Sequence, residues 1–265
     1  MRNIKNLKYY LIITYSTFWL LLGLTGYLIS LEVPVFVQDI MKNICAWTPT
    51  FAILIMFKKL YPGTSFRVYL ITNFKKKIKA LDFVLVFMLQ TGIIFIAVIT
   101  YLAKNNIELS SLPMIGAAGI LPAFIMALTS GATGEELGWR GYLLNAYQKK
   151  YSPLRSALFV GLIWGFWHLP LWIISGYTGF NLLLYSLFFL LAIISFSVLI
   201  TFFYNRSGNI LIAMWMHFLF NFLLQLVLIE QLHILMYVSI GYLLAAIILI
   251  LTQKESLLIK PVLDS

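Results

Sequence analysis

Apolar stretches of about twenty residues follow one another along nearly the whole chain, and this repetition constrains the fold more than any other feature. The first runs from a basic opening (Arg2, Lys5, Lys8) to about Leu31. Others fall near 36–57, 81–103, 118–147, 156–175, 182–204, 209–229 and 232–252. A helix rises about 1.5 Å per residue, so roughly 20 residues cross a hydrocarbon core about 30 Å thick. The expected fold class is therefore all-α, a polytopic membrane helical bundle of about eight transmembrane helices. Composition agrees: of 265 residues, 62% are apolar and 11% charged, with a mean hydropathy of +0.93. A soluble domain carries about 25% charged residues. An ordinary soluble enzyme and a disordered chain are thereby excluded. The single Cys45 excludes an intrachain disulfide and the thiolate pairs of a zinc ribbon. The first run is longer than the core of a cleavable signal and lacks an A-x-A site, so it reads as a retained span. No repeat is visible, and the one sizeable polar stretch is 58–79, so 1–265 reads as a single integral membrane domain.

The basic residues give this map a sidedness. With the N-terminus inside, 17 of the 19 Lys and Arg fall on inside segments, and only Lys42 and Lys104 fall outside. That bias is what the positive-inside rule requires, and it puts both termini in the cytoplasm. The net charge of +10 is thus read as topology. The lipid bilayer is the expected partner of the basic 58–79 loop, and nucleic acid is not expected as a partner.

Ionisable groups inside a membrane are costly and mark functional positions by default. Three of the spans carry them. The fourth holds Glu135, Glu136 and Arg140, preceded by the small residues 129–134. The fifth holds Trp164-Gly-Phe-Trp-His168-Leu-Pro170, and the seventh His217-Phe-Leu-Phe-Asn221. Counted along a helix from the inside cations Lys149, Arg155 and Arg206, Glu135, His168 and His217 lie at about 21, 20 and 17 Å. Similar depth from one side favours mutual contact, because unpaired polar groups in lipid are expensive. Glu136 and Arg140 are i,i+4 and can pair on one helix face, while Glu135 projects about 100° away. His217 and Asn221 also project together.

Glu-Glu-x-x-x-Arg at 135–140, an aromatic-x-x-x-His at 164–168 and His-x-x-x-Asn at 217–221 resemble the three signature motifs of the CPBP family. This family comprises the CAAX prenyl endopeptidases and the bacteriocin-processing or self-immunity (ABI) proteins. The resemblance covers about 115–225, which it marks as the catalytic core. One position departs from it: Trp164 stands where the second motif usually begins with Phe. The resemblance implies an intramembrane endopeptidase, with a hydrophobic or lipidated peptide or protein as substrate, in the plasma membrane, its site open to the cytoplasm.

Peptide hydrolysis needs an activated water and a stabiliser for the oxyanion. Glu135 is the candidate base and His168 would share or orient the water. His217 and Asn221 would donate to the oxyanion, and Glu136 would hold Arg140. This arrangement requires no cofactor. The same residues also allow a metal mechanism, in which His168, His217 and Glu135 ligate zinc; the compact H-E-x-x-H motif is absent, and the choice stays open. Trp139, Trp164 and Trp167 are candidates to line the pocket, although packing is the commoner role of such residues. Two competing functions are a non-catalytic bacteriocin-immunity or regulatory protein and a proton-relaying transporter. For the latter, the paired broken helices of internal repeats are not apparent. The tail Lys260–Ser265 has no Cys and is not a prenylation signal.

Overall fold

A computed structural model describes residues 2–259; the tail from 260 onward, with Lys260 of the charge map, lies outside them. In chain order the elements are α1 (Arg2–Ser30), α2 (Val35–Ala46), α3 (Thr48–Leu60), α4 (Phe66–Phe74), α5 (Ala80–Lys104) and α6 (Ala117–Ala127). Two wide π turns follow, Leu128–Ala132 and Leu137–Leu144, then α7 (Asn145–Gln148), α8 (Pro153–Trp167), α9 (Leu169–Ile173), α10 (Gly179–Ser207), α11 (Ile210–Gln225), α12 (Gln231–Thr252) and α13 (Lys254–Leu258). The described residues form no strand beyond one isolated bridge between Met114 and Val227. The fold is all-α, and the chain is an integral membrane protein.

The helices coincide with the expected apolar stretches but are less uniform. Among the described residues five stretches are long and apolar enough to cross a bilayer, including Ala117–Gln148 taken as one unit. The second expected span is a pair, α2 and α3, bent by 50°. Its break has a local cause. Pro49 has no N–H to give the Cys45 carbonyl, and the Thr48 hydroxyl takes that carbonyl instead, at 3.0 Å. Asp39 and Lys42, the two charges in this stretch, pair with each other at 3.0 Å on its exposed surface. The remaining two stretches, α8 and α11, are apolar helices of 15 and 16 residues, shorter than the roughly 20 residues a full crossing uses. The fifth span was expected to continue to 175; α8 stops at Trp167 instead, because Pro170 cannot continue the ladder and the chain turns at His168.

The main core is a cluster of buried side chains drawn chiefly from α1, α3, α5, the broken span, α8, α10, α11 and α12; a smaller cluster joins Trp172 of α9, Tyr185 and Ala192 of α10, and Leu232 and Leu235 of α12. Two junctions set the height of α11. Gly208 ends α10 in the left-handed conformation (φ +61°), which an L side chain rarely adopts. Asn209 then caps α11: its Oδ1 accepts from the Leu211 N–H at 2.9 Å while its Nδ2 donates to the Phe74 and Lys76 carbonyls at 2.8 and 2.6 Å. Deeper in the bundle, Gln90 of α5 donates to the Met216 carbonyl of α11 at 3.1 Å and accepts from the Tyr242 hydroxyl of α12. His217, next to Met216, is thereby fixed between three helices.

Candidate active site

The span carrying the two glutamates is not a continuous α-helix. Ser130 sits at φ −85°, ψ −107°, outside helical space, and the π turns lie on either side of Glu135 and Glu136. Wide turns of this kind recur at functional sites, because they let a side chain leave the regular helical spiral. Here they turn the adjacent glutamates to different partners.

Glu135 is 4% exposed and Glu136 and Arg140 are fully buried. One oxygen of Glu135, Oε2, accepts from two indoles: Trp139 Nε1 at 3.1 Å and Trp164 Nε1 at 2.6 Å. Its other oxygen, Oε1, has no hydrogen-bond partner among the described residues. Oε1 stands 3.0 Å, and His217 Nε2 2.8 Å, from the point where a Cβ on Gly131 would lie. Gly131 is therefore glycine for a steric reason: the two functional atoms crowd against its Cα.

Glu136 does more than hold Arg140. Its Oε1 receives Arg140 Nη1 at 2.9 Å and His217 Nδ1 at 2.7 Å. The carboxylate thus fixes the tautomer of His217. Nδ1 carries the proton, and Nε2 faces Glu135, as an acceptor in the neutral ring and a donor in the imidazolium. The Arg140 guanidinium lies over the Trp164 ring at 4.4 Å, a stacking that offsets part of its desolvation. Arg140 Nε, Arg140 Nη2 and Glu136 Oε2 are buried without protein partners.

His168 caps α8, and its Nδ1 meets the Trp164 carbonyl at 2.8 Å, which leaves Nε2 free. Its ring packs edge-on against Trp167 at 4.7 Å. Asn221 lies one turn beyond His217 on α11 and is half-buried. Its backbone carbonyl accepts from Gln225, and its side-chain amide makes no hydrogen bond among the described residues. The structure therefore joins Glu135, Glu136, Arg140 and His217 closely, with His168 reached through Trp164, and Asn221 one turn from His217. Among the described residues no three His, Cys, Asp or Glu side chains gather as a metal-holding group. The His168, His217 and Glu135 set is not assembled as ligands in this structure.

Sequence reasoning undervalued the tryptophans. Trp164 gives Glu135 a donor that the family's usual Phe cannot supply, and Trp139 gives the other. Trp139 was detectable as the i+4 neighbour of Glu135; the 29-residue separation of Trp164 from Glu135 gave no such signal.

A cavity of about 830 Å³ opens beside the later part of the same span. It is lined by Gly141, Asn145, Tyr69, Tyr204 and the basic side chains Lys76, Lys149 and Lys150. It reaches Gly141, the neighbour of Arg140; Glu135 does not line it.

A buried carboxylate with one tethered oxygen, beside a histidine whose far nitrogen is oriented by a second carboxylate, defines a polytopic membrane protein with a built polar centre. Comparison with known proteins shows what the chain is similar to. Residues 117–223 match the family described as type II CAAX prenyl endopeptidase Rce1-like. It is also 29% identical over 177 residues to CAAX prenyl protease 2 of Methanococcus maripaludis. That similarity covers 64% of this chain and 65% of the relative, so the chain spans about two thirds of the length of the protein it matches.

Proposed function

We propose that the chain is an intramembrane endopeptidase that hydrolyses a peptide bond in a hydrophobic or lipidated peptide, a prenylated CAAX-like tail or a leader segment, by a water that Glu135 activates. The observation that carries this reading is the asymmetry of Glu135: two indoles hold Oε2, while Oε1 is left beside His217 Nε2. Charge-assisted hydrogen bonds of this kind fix a carboxylate's orientation, and a general base needs a free oxygen in a fixed place.

In this mechanism a water between Oε1 and His217 gives its proton to Glu135 as its oxygen bonds the scissile carbonyl carbon. The carbonyl oxygen becomes an oxyanion, stabilised by hydrogen bonds from the Asn221 amide and from the Nε2–H of His217, which enters the cycle as an imidazolium paired with Glu136 and keeps both its protons throughout. Collapse breaks the C–N bond, and Glu135 returns the proton to the leaving amine. His168, through its free Nε2, orients the water. Glu136 holds His217 and Arg140 in register. No metal or other cofactor takes part in these steps. We place eight crossings with both ends in the cytoplasm of a plasma membrane. The basic cavity then faces the cytoplasm as the route by which a peptide enters.

The test is cleavage of a panel of prenylated CAAX and leader peptides by the purified chain, with products sized by mass spectrometry. The reading predicts one internal cut in at least one class of peptide, abolished in Glu135→Gln. Cleavage that persists in Glu135→Gln contradicts it.

A further inference from the structure

A broken helix in an apolar bundle leaves carbonyls that need donors. Two such carbonyls flank the turn that carries Glu135. In an uninterrupted α-helix the Thr129 carbonyl would accept the Thr133 N–H, and the Gly134 carbonyl the Gly138 N–H. Here the Thr133 N–H goes to Ser130 instead, and the Gly138 N–H goes to the Glu135 carbonyl at 2.9 Å. Both vacated carbonyls receive side chains from the break between α2 and α3 and the turn that follows it. Trp47 Nε1 donates to the Thr129 carbonyl at 2.7 Å, which the Thr133 hydroxyl also reaches at 3.1 Å, and Thr50 Oγ1 donates to the Gly134 carbonyl at 2.6 Å.

The fit is steric as well as polar. A Cβ on Gly134 would stand 2.7 Å from Trp47 Cδ1 and 3.0 Å from the Ala46 carbonyl oxygen, so the two broken spans meet at backbone distance. The Gly134 carbonyl belongs to the peptide unit that also contains the Glu135 nitrogen. A shift of that carbonyl therefore rotates the residue that presents Oε1. Trp47 is the single residue between the two bent helices, and Thr50 is buried. Both lie outside the 117–223 stretch that matches the family.

We infer that Trp47 and Thr50 are positioning residues for Glu135: the break in the second span clamps the break in the fourth. The inference rests on the proposed role of Glu135 as base. Its test uses the full chain in nanodiscs with three variants. Thr50→Val keeps the shape and removes the hydroxyl, Thr50→Ser restores a hydroxyl, and Trp47→Phe removes the indole N–H. Two readouts are taken on folded, monodisperse protein. The first is kcat and KM on a cleaved prenylated peptide. The second is the infrared band of the Glu135 carboxyl group, identified by its loss in Glu135→Gln, which does not depend on turnover.

Thr50→Val and Trp47→Phe are expected to lower kcat by about tenfold or more, the scale of a misplaced reacting group, with KM within about twofold. They are also expected to shift the Glu135 band, and Thr50→Ser is expected to restore both readouts. An unshifted band, or Thr50→Ser behaving like Thr50→Val, overturns the inference and leaves the two residues as structural caps. A shifted band in a chain that cleaves no peptide supports the positioning and overturns the proposed peptidase activity instead.

Discussion

Two stretches of similar length, Ala117–Gln148 with 32 residues and Gly179–Ser207 with 29, have contrasting interiors. The second is one unbroken helix that buries no charged side chain, with Phe196, Leu199, Ile200 and Phe203 in the core. Of its buried hydroxyls, Ser197 bonds the Ala157 carbonyl at 2.9 Å, while Thr201 Oγ1 has no hydrogen-bond partner among the described residues. The first is interrupted by two π turns and a non-helical Ser130, and it buries two carboxylates and a guanidinium. Its carbonyls accept side chains from other elements: Trp47 at Thr129, Thr50 at Gly134 and Tyr69 at Leu137, the last at 3.2 Å. A regular span is held by packing and helps build the bundle. An irregular span is held by donors from elsewhere, and the candidate chemistry sits where the helix departs from its ladder.

Substitutions that remove this difference should have graded effects. The largest is expected at Glu135. Glu135→Gln keeps the shape and removes the base, and kcat should fall about 10³-fold, within the range for loss of general-base catalysis; single-turnover rates measure it. Gly131→Ala comes next. Its methyl would stand 2.8 Å from His217 Nε2, and displacing that ring should cost about 10²-fold in kcat/KM; the unfolding midpoint would show whether the bundle itself survives. Trp164→Phe removes one of the two indole donors to Glu135 and restores the family's usual residue. A hydrogen bond to a charged group is worth about 1.5–3 kcal/mol, so a loss of about tenfold or more in kcat is expected. The smallest effect belongs to the regular helix. Ile200→Val should cost about 1 kcal/mol of stability and leave kcat within about twofold, as equilibrium unfolding and steady-state rates would show. A large loss of activity from Ile200→Val, or none from Gly131→Ala, would break the contrast between the two spans.

Much of this arrangement is legible in the sequence. The lengths of the apolar stretches give the helices. The depth count sets Glu135, His168 and His217 at one level, and in the structure His217 pairs with Glu136, 81 positions away. The i,i+4 spacing gives the Glu136–Arg140 pair. The double use of Glu136 Oε1 and the selection of one oxygen of Glu135 were not legible, because they depend on rotamers and on the orientation of distant indoles. The break at Trp47 had a signal in Thr48-Pro49, and the end of α8 had one in Pro170. The clamp at Thr129 and Gly134 had none, since a vacated carbonyl appears only once the helix is seen to break. The small residues before Glu135 admit close neighbours, His217 at Gly131 and Trp47 at Gly134.

The most direct measurement of the central claim is the initial rate of peptide cleavage by wild type and Glu135→Gln, each assayed with and without a strong chelator. The account predicts that wild type cleaves at the same rate in both conditions and that Glu135→Gln loses about 10³-fold in both. Cleavage that survives in Glu135→Gln, or wild-type activity that chelation abolishes and zinc restores, would contradict it.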